Sequence, residues 1–147
     1  PREDLSGMDV MRKILILVRE SGIAIEPDEV VKEPFIPAEC MDAESVEEFF
    51  TSLSKNESVF EDILANADAE GKALRYVATF ENGNAKTGLE AVSKDHPFYA
   101  LEGKDNTVLF YTERYPEQPL VIQGAGAGSA VTASGIFADI MRIANSQ

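Results

Sequence analysis

The sequence predicts an α+β fold, with a largely antiparallel or mixed sheet covered on one face by helices. Three observations carry this. Helical apolar periodicity is confined to the first seventy or so residues and to the C-terminal end. Between them lie short runs of strand character, two of which are separated by Glu81-Asn82-Gly83-Asn84, where Asn-Gly is a strong hairpin signal. Helices followed by hairpin-connected strands is the order expected of segregated layers, not of alternating βαβ units. With 147 residues, 44% of them hydrophobic, the chain is long enough to bury a core as one ordinary domain.

The first helix is predicted from about Asp9 to Ser21. Val10, Ile14, Leu17 and Val18 recur at helical spacing, and Leu15 and Ile16 fill most of the remaining circumference, so burial on several sides is expected. Gly22 stands where a helix stop belongs, Glu26-Pro27-Asp28 restarts the chain in a turn, and Val30-Val31 reads as extended. Pro34 and Pro37 argue for irregular chain as far as Asp42. Ser45 followed by Glu48 is the capping-box spacing, with Phe49, Phe50 and Leu53 as the apolar face of the helix it starts. A further helix covers roughly Ser58 to Ala69. Strands are predicted at Leu74 to Phe80, Gly88 to Val92, Thr107 to Thr112 and Leu120 to Gln123, and a last helix at about Val131 to Ala144.

Composition removes several function classes. Thirteen basic residues against twenty-six acidic ones give a net charge of -13, which repels phosphate backbones and anionic headgroups; nucleic acid and membrane surfaces are not expected partners. One cysteine, Cys40, and one histidine, His96, cannot assemble a disulfide framework or a Cys/His metal site, so no metal is expected and a reducing, cytoplasmic setting fits. No basic residue or helix start is evident beside Cys40 to activate it as a nucleophile. The longest apolar run, Ile14 to Val18, falls far short of the ~20 residues of a membrane span. The opening Pro1-Arg2-Glu3-Asp4 is neither an initiator nor a targeting segment, and the chain is expected to start partway through a larger protein.

Asp9 and Lys13 share one helix face, with the acid toward the N-terminus. An i, i+4 pair of this kind is ordinarily a surface ion pair of ~0.3 to 0.5 kcal/mol. Lys13 is followed at once by the apolar run, however, so it either snorkels or pairs in a cleft. Spacing alone favours a structural pair and leaves a functional one open.

The run Asp4-Leu5-Ser6-Gly7-Met8-Asp9-Val10-Met11-Arg12-Lys13 is similar to the end of the homoserine dehydrogenase signature, agreeing at Asp4, Gly7, Asp9 and Lys13, with Leu5 at its aliphatic position. The segment from Pro119 through Gly124-Ala125-Gly126-Ala127-Gly128 to Asp139 resembles the family's closing stretch. His96-Pro97-Phe98 and Asp105-Asn106 to Phe110-Tyr111-Thr112 resemble what lies between. The resemblance covers the whole chain in order, and is greatest to the dehydrogenase half of bifunctional aspartokinase-homoserine dehydrogenases.

That resemblance implies reversible hydride transfer between NADP or NAD and the pair L-aspartate 4-semialdehyde and L-homoserine, in threonine and methionine biosynthesis. It makes Lys13 the general acid, Asp9 a substrate-binding residue that also holds Lys13, and Asp4 a further active-site acid. It implies a homodimer formed through the sheet region, a Rossmann nucleotide-binding domain upstream of residue 1 to which the terminal helix would return, and an aspartokinase domain as a possible further part of the same chain. By pattern alone the glycine-rich loop is a tight turn. Ser129 stands where the dinucleotide fingerprint needs its third glycine, and too few residues follow for the next strand with its ribose-binding acid. The resemblance instead matches Gly128 to a glycine that contacts the cofactor. The fragment by itself is expected to be inactive and to hold no cofactor tightly. A dimerisation module without activity of its own is the rival reading.

Overall fold

A computed structural model describes residues 1–103 and 105–146. The chain divides into two compact units, Pro1–Lys94 and Asp95–Gln147. In the first, α1 (Arg2–Leu5) and α2 (Met8–Glu20) precede a single 3-10 turn (Pro27–Glu29) and the short strand β1 (Val31–Lys32). Then come α3 (Ala38–Met41), α4 (Val46–Lys55), α5 (Glu57–Ala69), β2 (Ala73–Glu81) and β3 (Asn84–Val92). The second unit holds β4 (Asp105–Thr112), β5 (Tyr115–Ala125) and α6 (Ser129–Asn145). The α+β class stands, with two small sheets among the described residues: a mixed one in the order β1-β3-β2 and an antiparallel pair β4-β5.

Local chemistry accounts for most boundaries. Ser45 caps α4, its side chain accepting from Glu48 N at 3.1 Å while Glu48 reaches back to Ser45 N at 3.3 Å. Asn82 (φ 50°) and Gly83 (φ 80°) form the two-residue hairpin loop, and this turn registers β2 on β3 from Glu81↔Asn84 to Ala73↔Val92. β3 therefore begins four residues before the predicted Gly88, because the turn pulls Asn84 to Thr87 into the ladder whatever their strand propensity.

The stretch predicted irregular to Asp42 contains the one-turn helix α3. Its N-cap is Pro37, a position where a proline costs the helix no hydrogen bond. β5 starts at Tyr115 although Pro116 and Pro119 lie within it; the register slips between Phe110 and Thr112, and that irregularity accommodates them.

Contrary to the burial on several sides expected of it, α2 is buried along one side only. Only Met11, Leu15 and Val18 are buried, a single stripe that packs with Ile25, Val30 and Ala85, with Met8, Ile14 and Phe80 at its margin. Ile16 is 61% exposed and Leu17 is exposed as well. The sheet covers one side of this helix, so an apolar run does not imply burial all round. A second core gathers Ile36, Cys40 and Phe49 beneath Phe35, Met41, Leu53 and Phe60. In the second unit α6 buries no residue and exposes Ile136, Phe137, Ile140 and Ile143.

Candidate functional site

The site predicted from sequence begins at the junction of α1 and α2. Gly7 is the N-cap of α2 at φ 74°, a left-handed conformation that glycine adopts without strain. No side chain caps this helix start, and the backbone turns sharply enough to put α1 and α2 in direct succession. One turn into α2, Lys13 Nζ lies 2.7 Å from Asp9 Oδ2, a charge-assisted hydrogen bond. Both side chains are open to solvent, Lys13 at 47% and Asp9 at 70%. The apolar run beyond Lys13 does not enclose it in the first unit, because the lysine lies off the buried stripe. Asp4 is on α1, with its side chain 88% exposed. Arg12 reaches back across the same junction to Glu3 at 3.8 Å, and Arg2 donates to the Ala43 carbonyl.

Beneath the junction lies a contact that sequence reading missed. A Cβ placed on Gly7 would overlap the hydroxyl of Tyr76 in β2 and the ring carbon that carries it. Tyr76 Oη is itself 3.4 Å from Thr87 Oγ1, and Thr87 is completely buried. Phe35 flanks the tyrosine ring at a centroid distance of 5.9 Å. A hollow of about 190 Å³ opens here between Leu5, Ser6, Phe35, Ile36 and Tyr76. The cue for Tyr76 is its place in the β2 alternation opposite Leu89, which means nothing until the β2–β3 register is known.

Gly128 belongs to the second unit. It is the N-cap of α6 at φ 132°, and the space where a Cβ would stand is open for 4 Å. Two residues earlier a Cβ on Gly126 would overlap the Asn106 side chain, so this glycine is needed for close approach within the unit. Cys40 is fully buried, with Ser52 Oγ at 3.2 Å from its sulfur, and His96 Nδ1 accepts from Phe98 N at 3.1 Å. Among the described residues no group of three His, Cys, Asp or Glu side chains is placed to hold a metal ion. No helix among them is long and apolar enough to cross a membrane.

The family model for homoserine dehydrogenase matches residues 1–141. A bifunctional aspartokinase/homoserine dehydrogenase of Haemophilus influenzae is 46% identical over 142 residues, 97% of this chain and 17% of its own length. A homoserine dehydrogenase of Paracoccidioides brasiliensis is 44% identical over 146 residues, 97% of this chain and 39% of its own. The chain thus spans well under half the length of these curated relatives. Among solved structures, a Candida auris protein of unknown function superposes with a TM-score of 0.88 at 41% identity, over 99% of this chain and 41% of that one. The S. aureus homoserine dehydrogenase does so with a TM-score of 0.68 at 21% identity, over 98% of this chain and 32% of that one, a likeness of fold. Its signature run, its α+β architecture and a family match through both compact units place this chain in the homoserine dehydrogenase family.

Proposed function

We propose that in the full-length protein this chain supplies the acid-base side of a homoserine dehydrogenase active site, for the reversible reduction of L-aspartate 4-semialdehyde to L-homoserine in the cytoplasm, on the route to threonine and methionine. The observation that carries the proposal is the 2.7 Å Lys13–Asp9 pair, exposed at the start of α2 within the stretch that matches the family. The nicotinamide cofactor, NADP or NAD, supplies the hydride when bound.

As the aldehyde carbon is reduced, negative charge develops on its oxygen. The Lys13 ammonium stabilises that charge and gives up a proton from Nζ to form the alcohol; in the reverse direction the neutral amine takes the proton back. Asp9 holds the ammonium by its carboxylate and contacts the homoserine end of the ligand. Asp4 serves as a further acid at the same junction. Gly128 offers open backbone at a positive φ, which fits a glycine approached by the cofactor. The nucleotide-binding domain, and an aspartokinase domain where present, belong to the rest of the full-length protein.

Lys13→Ala in the full-length enzyme is expected to lower turnover at least about tenfold with folding intact. Near-normal turnover would reject Lys13 as the proton donor.

The second reading, a dimerisation module, draws on the second unit. A two-stranded sheet is only marginally stable alone, and β5 exposes Leu120, Val121 and Ile122. Pairing of the sheet region with a second copy would give a homodimer. Sedimentation of the isolated chain together with a nicotinamide oxidation assay separates the readings: a dimer without turnover supports the module, whereas turnover by the isolated chain contradicts the need for the upstream domain.

A further inference from the structure

We infer that Tyr76 is a positioning residue for Lys13, acting through Gly7. This rests on the reading of Lys13 as proton donor and goes beyond it by naming what sets the lysine's place. The buried stripe Met11, Leu15 and Val18 holds α2 to the sheet from the end of its first turn onward, and ahead of Met11 that turn contributes the half-buried Met8 and Val10. Asp9 lies on that turn, and Lys13 is bound to it at 2.7 Å.

Directly under the N-cap, the Tyr76 hydroxyl occupies the volume that any side chain on residue 7 would need. The hydroxyl is backed by the buried Thr87 at 3.4 Å and the ring by Phe35, so it is a firm stop. Gly7, at φ 74°, lets the chain settle onto it and turn into α2 at once. The sheet thereby fixes the height at which α2 starts, and with it the Asp9 carboxylate to which Lys13 is tied. Small displacements of a proton donor from its reacting atom are costly in rate.

The test is a double-mutant cycle in the full-length enzyme. Tyr76→Phe, which keeps the ring and removes only the hydroxyl nearest residue 7, is expected to lower kcat about fivefold or more, leaving the KM for the nicotinamide cofactor and the melting temperature nearly unchanged. In the Lys13→Ala background, the same substitution should change the residual rate less than about twofold, because a residue that works through Lys13 has nothing left to position. Gly7→Ala, which crowds the hydroxyl from the other side, should show the same dependence on Lys13. An equal loss from Tyr76→Phe with and without Lys13 would overturn the inference by making Tyr76 merely structural, and so would full turnover of Tyr76→Phe beside a crippled Lys13→Ala. Near-normal turnover of Lys13→Ala by itself would instead strike the proton-donor reading on which the inference stands.

Discussion

The hydroxyl of Tyr76 stands where the β-carbon of residue 7 would be, and residue 7 is a glycine. The two are far apart in sequence and meet because α2 lies across the sheet face that carries Tyr76 and Thr87. Gly7 is thus required twice, by its positive φ and by the space it leaves.

A graded pair of substitutions separates these requirements. Gly22 also has a positive φ, 91°, but nothing lies within 4 Å of where its Cβ would be. Gly22→Ala should therefore cost only the backbone term of about 1–2 kcal/mol. Gly7→Ala should cost more, because overlap with the tyrosine adds to the same backbone term. Denaturant unfolding of the full-length protein measures both; equal costs would mean that the contact is relieved without effort.

At the start of α4, Ser45→Ala removes one half of a reciprocal cap, and a loss of about 1 kcal/mol is expected. Glu48→Ala should cost a similar amount by removing the other half, and the double variant less than the sum of the two. Strict additivity in thermal unfolding would argue against a reciprocal cap.

Phe49 is completely buried against Ile36 and Cys40. Phe49→Ala should destabilise by about 3–5 kcal/mol, the range for a large aromatic lost from a packed core. Its neighbour Phe50 is 53% exposed, so Phe50→Ala serves as the control and should cost far less.

On β3, hydrogen bonding and attraction from Glu90, with a further contribution from Glu33, raise the Lys86 ammonium above the ordinary lysine value. A raised pKa in the folded state adds stability that is fully present below the unfolded lysine value and lost as pH climbs through the folded one. Glu90→Gln should remove most of that contribution, so the stability difference between wild type and variant should shrink in strongly alkaline solution. Both side chains are solvent-accessible, so the effect is small and should weaken further with added salt. A difference that is constant through the alkaline range would contradict the assignment.

Features legible from sequence were those whose physics is local. Ser45 and Glu48 announce their cap three residues apart, and Asn82-Gly83 announces a hairpin whose two residues do adopt positive φ. The strand ends were not legible, because Asn84-Ala85-Lys86-Thr87 are recruited by register and Pro116 and Pro119 by a slip in the ladder. α2 shows the same limit from the other side. Its apolar residues are visible in sequence, but which of them face the sheet depends on what lies beside the helix. For the site, Asp9 and Lys13 are legible as a pair and the structure brings them together at 2.7 Å. Tyr76 is not, since its contact with Gly7 exists only once β2 has been placed under α2.

Lys13 as proton donor is tested most sharply by the steady-state turnover of full-length Lys13→Ala, read with its melting temperature. Loss of the general acid should lower kcat at least about tenfold at an unchanged melting temperature. Turnover close to wild type in a folded variant would contradict it.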